Sequence, residues 1–152
     1  MVEFRLLEEK DLEAIRLLEQ EIFSDPWSEH ALFDWFSSDF SIGCIAQEDG
    51  SLLCYAIGNL IAGEAELFRI GCAPLKRKRG YGDATLKHFL AEAERKGAER
   101  IFLEVREHNF AARSLYEKNA FSLVGKRSLY YKNPDEDAFL YQKTIQAKGM
   151  TK

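Results

Sequence analysis

The sequence has few of the residues that build metal centres and disulfide frameworks. Its 152 residues include three histidines, which are not spaced as metal ligands, and three cysteines, Cys44, Cys54 and Cys72. The cysteine number is odd and no Cys-x-x-Cys spacing occurs, which argues against a zinc site and against a disulfide framework. We therefore expect no bound metal and three reduced cysteines.

A turn signal gives a second argument for reduced thiols. Asp49-Gly50 is typical of a two-residue turn that joins two antiparallel strands. Such a turn would place Cys44 opposite Tyr55 and Ile45 opposite Cys54. Because side chains alternate between the two faces of a sheet, the thiols of Cys44 and Cys54 would then point to opposite sides.

Long apolar runs and an excess of positive charge are also absent. Residues 1–16 alternate acidic, basic and apolar side chains, so we expect neither a signal peptide nor a membrane span, and a cytoplasmic protein. The chain has 21 Lys and Arg against 25 Asp and Glu, a formal net charge of −4. This profile is typical of a soluble globular protein, so we expect neither nucleic acid nor a membrane as a partner.

What the chain does contain is enough apolar material for one hydrophobic core. Apolar residues make up 46% of the sequence and aromatic residues 12%. A chain of this length is too short for two ordinary domains. We expect a single domain over residues 1–145 and a polar tail over residues 146–152.

Hydrophobic periodicity and turn signals divide the chain into strands and helices. They predict strands over residues 2–6, 41–47, 52–61, 64–72, 101–106, 121–131 and 138–144. They predict helices over residues 11–23, 82–96 and 109–118, and a short helix that begins at a Ser28 cap. The pattern favours an α/β (α+β) fold, in which a mixed, mostly antiparallel central sheet of about six to seven strands is flanked by about four helices.

A glycine-containing basic segment leads into the 82–96 helix. It consists of Arg77, Lys78, Arg79, Gly80, Tyr81 and Gly82. The N–H groups at a helix N-terminus attract anions, and glycines let the backbone approach a phosphate closely. The segment lacks the Gly-Lys-Ser/Thr ending of a nucleotide-triphosphate loop and the third glycine of the dinucleotide fingerprint. The sequence leaves two interpretations open here, a pyrophosphate site and a solvated basic turn.

A carboxylate in the 101–106 strand is a candidate general base. If Ile101, Leu103 and Val105 face the core, Glu104 faces the other side of the sheet. A carboxylate between apolar residues suits a cleft that admits a substrate. The alternative is an exposed position whose carboxylate pairs with Arg106.

In the next predicted helix, Asn109 and Tyr116 are seven residues apart. Seven residues make about two helical turns, so the two side chains would lie along one line. One elongated ligand could then touch both. The alternative for Tyr116 is an ordinary core position of an amphipathic helix.

Taken together, these segments resemble the GCN5-related N-acetyltransferase superfamily, in which an Arg/Gln-x-x-Gly-x-Gly/Ala loop corresponds here to residues 77–82. The resemblance is closer to the ribosomal-protein-alanine N-acetyltransferase branch and covers residues 2 to 144 in order. It is carried by Asp25-Pro-Trp-Ser-Glu29, Glu64-Ala-Glu-Leu-Phe-Arg-Ile70, Leu103-Glu-Val-Arg106 followed by Asn109, Leu115-Tyr-Glu-Lys118, Tyr130-Tyr131 and Glu136-Asp-Ala138.

The resemblance implies the fold of that superfamily and acetyl-CoA as the cosubstrate. Backbone groups of Ile70, Gly71 and Cys72 would pair with the pantetheine arm, which Asn109 would also contact. The amides of residues 77–82 would hold the pyrophosphate. Asp83 departs from the pattern, since a basic residue is common beside the loop in this family.

The resemblance also implies a direct transfer of the acetyl group in a ternary complex. Glu104 would be the general base and Tyr116 the general acid. The acceptor would be the N-terminal α-amine of a protein or peptide, for instance a ribosomal protein. Trp27 and the pair Tyr130 and Tyr131, with the acidic residues 135–137 nearby, would form a groove for a basic peptide. Acetylation of a small-molecule amine or a lysine side chain, and a non-catalytic CoA-binding module, are the alternatives.

Overall fold

A computed structural model describes residues 1–74, 80–132 and 134–145 of the chain. Its seven strands are β1 (Val2–Leu6), β2 (Ser41–Glu48), β3 (Ser51–Ile61), β4 (Glu64–Cys72), β5 (Arg100–Arg106), β6 (Ser122–Tyr131) and β7 (Glu136–Thr144). Its helices are α1 (Leu12–Ile22), α2 (Glu29–Ser37), α3 (Tyr81–Arg95) and α4 (Phe110–Lys118), with a 3-10 turn at Glu9–Asp11. The predicted strands and helices are confirmed and differ from these bounds only at their ends.

The strands form one mixed sheet in the order β1-β2-β3-β4-β5-β7-β6. The β4–β5 pair is parallel and the other neighbouring pairs are antiparallel. α3 connects the two parallel strands, as a crossover between parallel strands requires. In the ranges described, none of the helices combines the length and the apolar character needed to cross a membrane.

The two faces of the sheet carry separate hydrophobic cores. The first core lies under α3 and α4 and includes Leu86, Phe89 and Ala93, which recur at helical spacing on one stripe of α3 and have no exposed surface. The second core lies under α1 and α2, where Leu32 and Trp35 pack against strand residues. On this face, α1 and α2 pack against β2, β3 and β4. The half of the face that β5, β7 and β6 form lies outside this packing.

Local capping signals in the sequence work as expected. The Ser28 hydroxyl accepts a hydrogen bond from the Ala31 N–H at 3.0 Å and begins α2. Gly97 follows the C-cap of α3, and its φ of +96° is accessible to glycine at little cost. The Ala98 N–H closes this end by donating to the Ala93 carbonyl at 2.9 Å.

The predicted register of the β2–β3 hairpin is wrong by one residue. The turn itself is confirmed, with positive φ at both Asp49 and Gly50. An irregularity between Ala46 and Gln47 shifts the pairing, so Cys44 opposes Ala56 and Cys54 opposes Ala46. Cys44 and Cys54 therefore face the same side of the sheet, not opposite sides.

The expectation of three reduced cysteines is also wrong. Cys54 and Cys72 oppose each other on β3 and β4, with their Cα atoms 4.1 Å apart, and form a disulfide. Directly opposed residues of a narrow antiparallel pair come this close without any local sequence motif. Cys44 alone is a free thiol among the described residues, and burial raises its pKa to about 12.

Candidate active site

The two parallel strands separate in the middle of the sheet. Pairing between β4 and β5 runs as far as Leu67 opposite Leu103, and none follows within the described ranges. At this point Phe68 is an extra residue in β4 relative to β3, and such a bulge bends a strand. We call the gap beyond Leu67 and Leu103 the β4–β5 cleft. Residues 68–72 form one wall and residues 104–106 the other.

The predicted pantetheine segment lies on the β4 wall of this cleft. Ile70 packs against the first core, and Cys72 lies in the small cluster that holds Cys54. Gly71 opposes Tyr55, and a Cβ at this position would lie 2.6 Å from three atoms of the Tyr55 side chain. A glycine is required at position 71 because Tyr55 already occupies the space of a side chain.

The N-terminus of α3 points into the same region. Gly80 caps the helix with a φ of +82°, and a Cβ added there would meet no atom within 4 Å. A Cβ added at Gly82 would lie 3.5 Å from the Cys72 Sγ and 4.0 Å from Leu115, so this turn faces both β4 and α4. The Tyr81 side chain packs into the cluster around Cys54. Arg77, Lys78 and Arg79 lie outside the described residues.

Asp83 does not present a free charge to this helix end. Its carboxylate pairs with Lys87 Nζ at 2.5 Å and with Lys118 Nζ at 3.6 Å, and it accepts a hydrogen bond from Asn119 Nδ2 at 2.9 Å. The bonds from Lys87 and Asn119 lower the pKa of Asp83. Neighbouring cations thus compensate the carboxylate that departs from the family pattern.

Glu104 lies on the opposite wall of the cleft. Its side chain is on the face of β5 away from Leu103 and Val105, as strand alternation predicts, and is 21% exposed. Its Oε2 atom is buried and has no hydrogen bond within the part of the chain described, and Arg127 Nε lies 3.7 Å away. Arg106, the alternative partner, pairs with Glu136 instead. A buried carboxylate oxygen without a donor is suited to accept a proton or a hydrogen bond from a substrate.

Tyr116 lies in the first core, as the core-position alternative predicted. The residue is 6% exposed, and its ring packs against Phe121 at 5.7 Å and Tyr141 at 6.4 Å, measured between ring centroids. Burial, and then the neighbouring Tyr131, raise the pKa of Tyr116. Its hydroxyl therefore keeps its proton at neutral pH and can act as a donor.

Asn109 is the N-cap of α4 and not its first helical residue. Its side-chain oxygen accepts a hydrogen bond from the Ala112 N–H at 3.2 Å. The residue is exposed, whereas Tyr116 is buried. The structure thus places Asn109 at the surface end of α4, with a capping bond as its observed contact.

The paired tyrosines stand at a distorted end of β6. Leu129 has a φ of +49° beside an irregularity in the β6–β7 pairing, and its N–H donates to Asp137 Oδ1 at 2.7 Å. Tyr130 is 47% exposed and packs edge-on against Tyr131 at 5.1 Å. Burial, and then the charge of Glu104, raise the pKa of Tyr131 to about 12. Tyr131 therefore lies within electrostatic range of both proposed catalytic side chains.

Nearby acidic side chains bond to groups of the protein itself. Glu136 accepts hydrogen bonds from the His108 N–H at 2.6 Å and from Arg106 Nη1 at 3.3 Å. Asp137 pairs with Lys126 Nζ at 3.4 Å. Two of the three acidic residues predicted for the peptide groove, Glu136 and Asp137, are therefore paired within the protein itself.

Trp27 packs in the second core with one side exposed. Its ring lies 6.5 Å from Trp35 and 5.7 Å from Phe68, between ring centroids. Phe68 is the bulge residue at the mouth of the cleft. Trp27 thus borders the cleft from the segment between α1 and α2, on the side where the face of the sheet is open.

Two charged residues beside Glu104 were missed by the sequence reasoning. Glu66 lies on β4, and burial and then the charge of Glu104 raise its pKa. Arg127 lies on β6 opposite Ala138 and pairs with Glu104. These residues come together only through the strand order, in which β4 and β7 lie on either side of β5. In the sequence, the alternation of Glu64 and Glu66 with apolar residues was a weak signal for Glu66.

Comparison with known proteins gives a coherent result. Residues 12–121 match the acetyltransferase (GNAT) family. The chain is 35% identical over 136 residues to the [ribosomal protein bS18]-alanine N-acetyltransferase of Escherichia coli K12, which covers 88% of this chain and 91% of the relative. It is 26% identical over 137 residues to a putative enzyme of the same name from Bacillus subtilis, covering 90% and 91%.

Solved structures agree with the sequence matches. The crystal structure of the ribosomal-protein-S18-alanine N-acetyltransferase from Escherichia coli superposes with a TM-score of 0.89 at 29% identity, covering 100% of both chains. Arabidopsis thaliana NAA60 in complex with acetyl-CoA superposes with a TM-score of 0.84 at 17% identity, covering 95% and 99%, and shares the fold. The predicted resemblance is confirmed, and the chain belongs to the acetyltransferase (GNAT) family.

Proposed function

We propose that this acetyltransferase transfers the acetyl group of acetyl-CoA to the N-terminal α-amine of a ribosomal protein. The observation that carries this proposal is the likeness to the Escherichia coli bS18-alanine enzyme, which extends along nearly the whole of both chains. The β4–β5 cleft supports it, because Glu104 borders this cleft with an unsatisfied carboxylate oxygen. We propose residues 1–145 as one catalytic domain.

The residues at the cleft fit a CoA arm. Gly80 and Gly82 leave the N-terminus of α3 open to an anion, and Gly82 faces the wall formed by Cys72. Helix N-terminal amides bind phosphate groups well. The amides of residues 77–82 would hold the pyrophosphate, Ile70, Gly71 and Cys72 would pair with the pantetheine, and Asn109 would border it. Bound there, acetyl-CoA supplies an activated thioester.

Glu104 is the proposed proton acceptor. An α-amine has a pKa of about 8, against about 10.4 for a lysine side chain, so about a tenth of α-amines are neutral at pH 7. A carboxylate with an unsatisfied oxygen can take the remaining proton directly or through water. This small demand on the base favours an α-amine over a lysine side chain as the acceptor.

Tyr116 is the proposed proton donor to the departing thiolate. A tyrosine hydroxyl is protonated at neutral pH at its ordinary pKa of about 10, and burial raises the pKa of Tyr116 further. A thiolate whose conjugate acid has a pKa of about 8.5 accepts a proton from a phenol mainly when the phenol is held in position. The packing of the Tyr116 ring on Phe121 and Tyr141 provides this position.

The acceptor would enter over the open half of the sheet. Trp27 borders this side from the segment between α1 and α2, and Tyr130 and Tyr131 border it from β6. Aromatic side chains with polar tips suit contacts to a peptide backbone. This surface supports a peptide acceptor more than a small free amine.

We place this reaction in the cytoplasm, where ribosomal proteins are made. Disulfides are rare in that reducing compartment. The Cys54–Cys72 disulfide would be open to reduction there.

The test is the release of CoA thiol from acetyl-CoA with three acceptors. These are an Ala-initiated peptide from a ribosomal protein, the same peptide blocked at its N-terminus and carrying an internal lysine, and a polyamine. We expect kcat/KM to be at least tenfold higher for the free Ala terminus. A tenfold preference for the blocked peptide or the polyamine would overturn the acceptor assignment, and no turnover with any amine would indicate a binding module.

A further inference from the structure

A fully buried carboxylate lies outside the catalytic pair. Glu19, on α1, has no exposed surface. Its Oε2 accepts a hydrogen bond from the Tyr55 hydroxyl. Its Oε1 accepts from Arg69 Nη1 at 3.0 Å and from the backbone N–H of Trp27 at 2.9 Å. A carboxylate is buried at high cost unless donors surround it, so these three bonds are what retains the charge in the core.

The donors join Glu19 to the segment between α1 and α2. Arg69 is 17% exposed, and besides Glu19 it contacts Asp25 Oδ2 at 3.6 Å and the Asp25 carbonyl at 3.4 Å. Its guanidinium lies 4.2 Å from the centre of the Phe23 ring. Phe23, Asp25 and Trp27 are therefore all held by one ion pair. This segment, residues 23–28, is the one that borders the cleft at Trp27.

The same network also reaches the wall of the cleft. Tyr55 passes so close to Gly71 that a Cβ at position 71 would lie 2.6 Å from its hydroxyl. Burial, and then the charge of Glu19, raise the pKa of Tyr55, so the phenol stays the donor in this bond. Glu19 thus connects the backbone of β4 at the proposed pantetheine position to the segment that faces the acceptor.

We propose that Glu19 is a positioning residue for the acceptor peptide. Through Arg69 and the Trp27 N–H, it fixes residues 23–28 against β4 and so shapes the surface that binds the acceptor peptide. This inference rests on the proposed function. It assigns to Glu19 no contact with the reacting atoms, so its effect falls on acceptor binding and not on the chemical step.

Two variants separate this role from general destabilisation. Glu19→Gln keeps the size of the side chain but removes the charge, and its NH₂ group cannot accept from Tyr55 or Arg69. Arg69→Lys keeps a positive charge but loses the planar fork that contacts Glu19 and Asp25 together. Asp11→Asn is the matched control, since Asp11 is another buried carboxylate held by an arginine, with Arg5 nitrogens at 2.8 Å from both of its oxygens.

The experiment measures KM and kcat for the Ala-initiated peptide, the Kd of acetyl-CoA and the Tm of each variant. We expect Glu19→Gln and Arg69→Lys to raise the peptide KM about tenfold, with kcat within about twofold of wild type and an unchanged acetyl-CoA Kd. Asp11→Asn should lower Tm and leave the peptide KM unchanged. If Glu19→Gln does not fold, Arg69→Lys decides the result.

Three results would overturn the inference. The first is an unchanged peptide KM in folded Glu19→Gln and Arg69→Lys. The second is an equal rise of KM in Asp11→Asn, and the third is a loss of acetyl-CoA affinity that parallels the rise of KM. A wild-type protein that acetylates no peptide terminus would instead overturn the proposed function, and with it this inference.

Discussion

Replacing Tyr116 with Phe removes one hydroxyl group and leaves the ring packed in the first core. The ring keeps its contacts with Phe121 at 5.7 Å and Tyr141 at 6.4 Å, so the free energy of unfolding should change by less than about 1 kcal/mol. If the hydroxyl protonates the leaving thiolate, kcat should fall about 100-fold or more. That loss corresponds to about 2.7 kcal/mol in the transition state.

Tyr141→Phe is the matched control from the same core. The Tyr141 hydroxyl donates to Glu117 Oε2 at 2.6 Å and accepts from Arg113 Nε at 3.0 Å, and both partners belong to α4. Without this hydroxyl, the Glu117 carboxylate and the Arg113 guanidinium each lose one hydrogen bond, which should lower the free energy of unfolding by about 1 to 3 kcal/mol. We expect Tm to fall by about 2 to 4 °C for each kcal/mol, with kcat unchanged.

The assay is CoA thiol release at saturating acetyl-CoA and peptide, with calorimetry for acetyl-CoA affinity and thermal unfolding for stability. We expect opposite patterns, a catalytic loss without a stability loss for Tyr116→Phe and the reverse for Tyr141→Phe. Tyr116→Phe with at least half of the wild-type kcat would refute the role of general acid. Equal losses of kcat in both variants would show that the core, and not the hydroxyl, supports the rate.

Four further predictions concern other parts of the molecule. Gly71→Ala should destabilise the fold by about 1 to 3 kcal/mol in urea unfolding, because the new Cβ lies 2.6 Å from Tyr55; wild-type stability would contradict this crowding. Glu104→Gln should lower kcat/KM more at pH 6 than at pH 9, where the amine loses its proton unaided, and an equal loss across this range would argue against a general base. The disulfide between β3 and β4 closes a loop of 18 residues, so its reduction should lower the free energy of unfolding by about 3 kcal/mol. A Tm that does not change with reductant would contradict this stabilisation. Burial raises the pKa of Cys44 from 9.0 to about 12. The stability that the buried neutral thiol contributes is therefore complete below pH 9 and is lost as pH rises towards 12. The native thiol should resist alkylation at pH 8, and rapid labelling would disprove this burial.

The strands and helices could be predicted because their signals are local. Ser28 caps α2, Gly97 ends α3 and the Asp49-Gly50 turn forms, each from interactions within a few residues. The β2–β3 register could not be predicted, since the irregularity after Ala46 depends on how two strands twist against each other. The cysteine pairing depends in the same way on the β3–β4 register, which places Cys54 opposite Cys72 across 18 residues of sequence.

The candidate site was predictable in part for the same reason. Strand alternation places Glu104 away from the core, and helical periodicity places Tyr116 in α4. Arg127 could not be found, because the order β5-β7-β6 brings it near Glu104 only in three dimensions. The partners of Glu136 could not be predicted either, since they lie 28 and 30 residues away in sequence.

The last strand in the order of the sheet, β6, has a consequence for solubility. It pairs with β7 on one side, and exposed apolar side chains such as Leu123 and Val124 lie along it, a combination that favours addition of a strand from another molecule. Lys126 and Arg127 follow these residues, and the backbone turns into the left-handed region at Leu129. A foreign strand therefore meets two charged side chains and then a break in the straight edge. The distortion that orients the paired tyrosines thus also guards the enzyme against edge-to-edge aggregation.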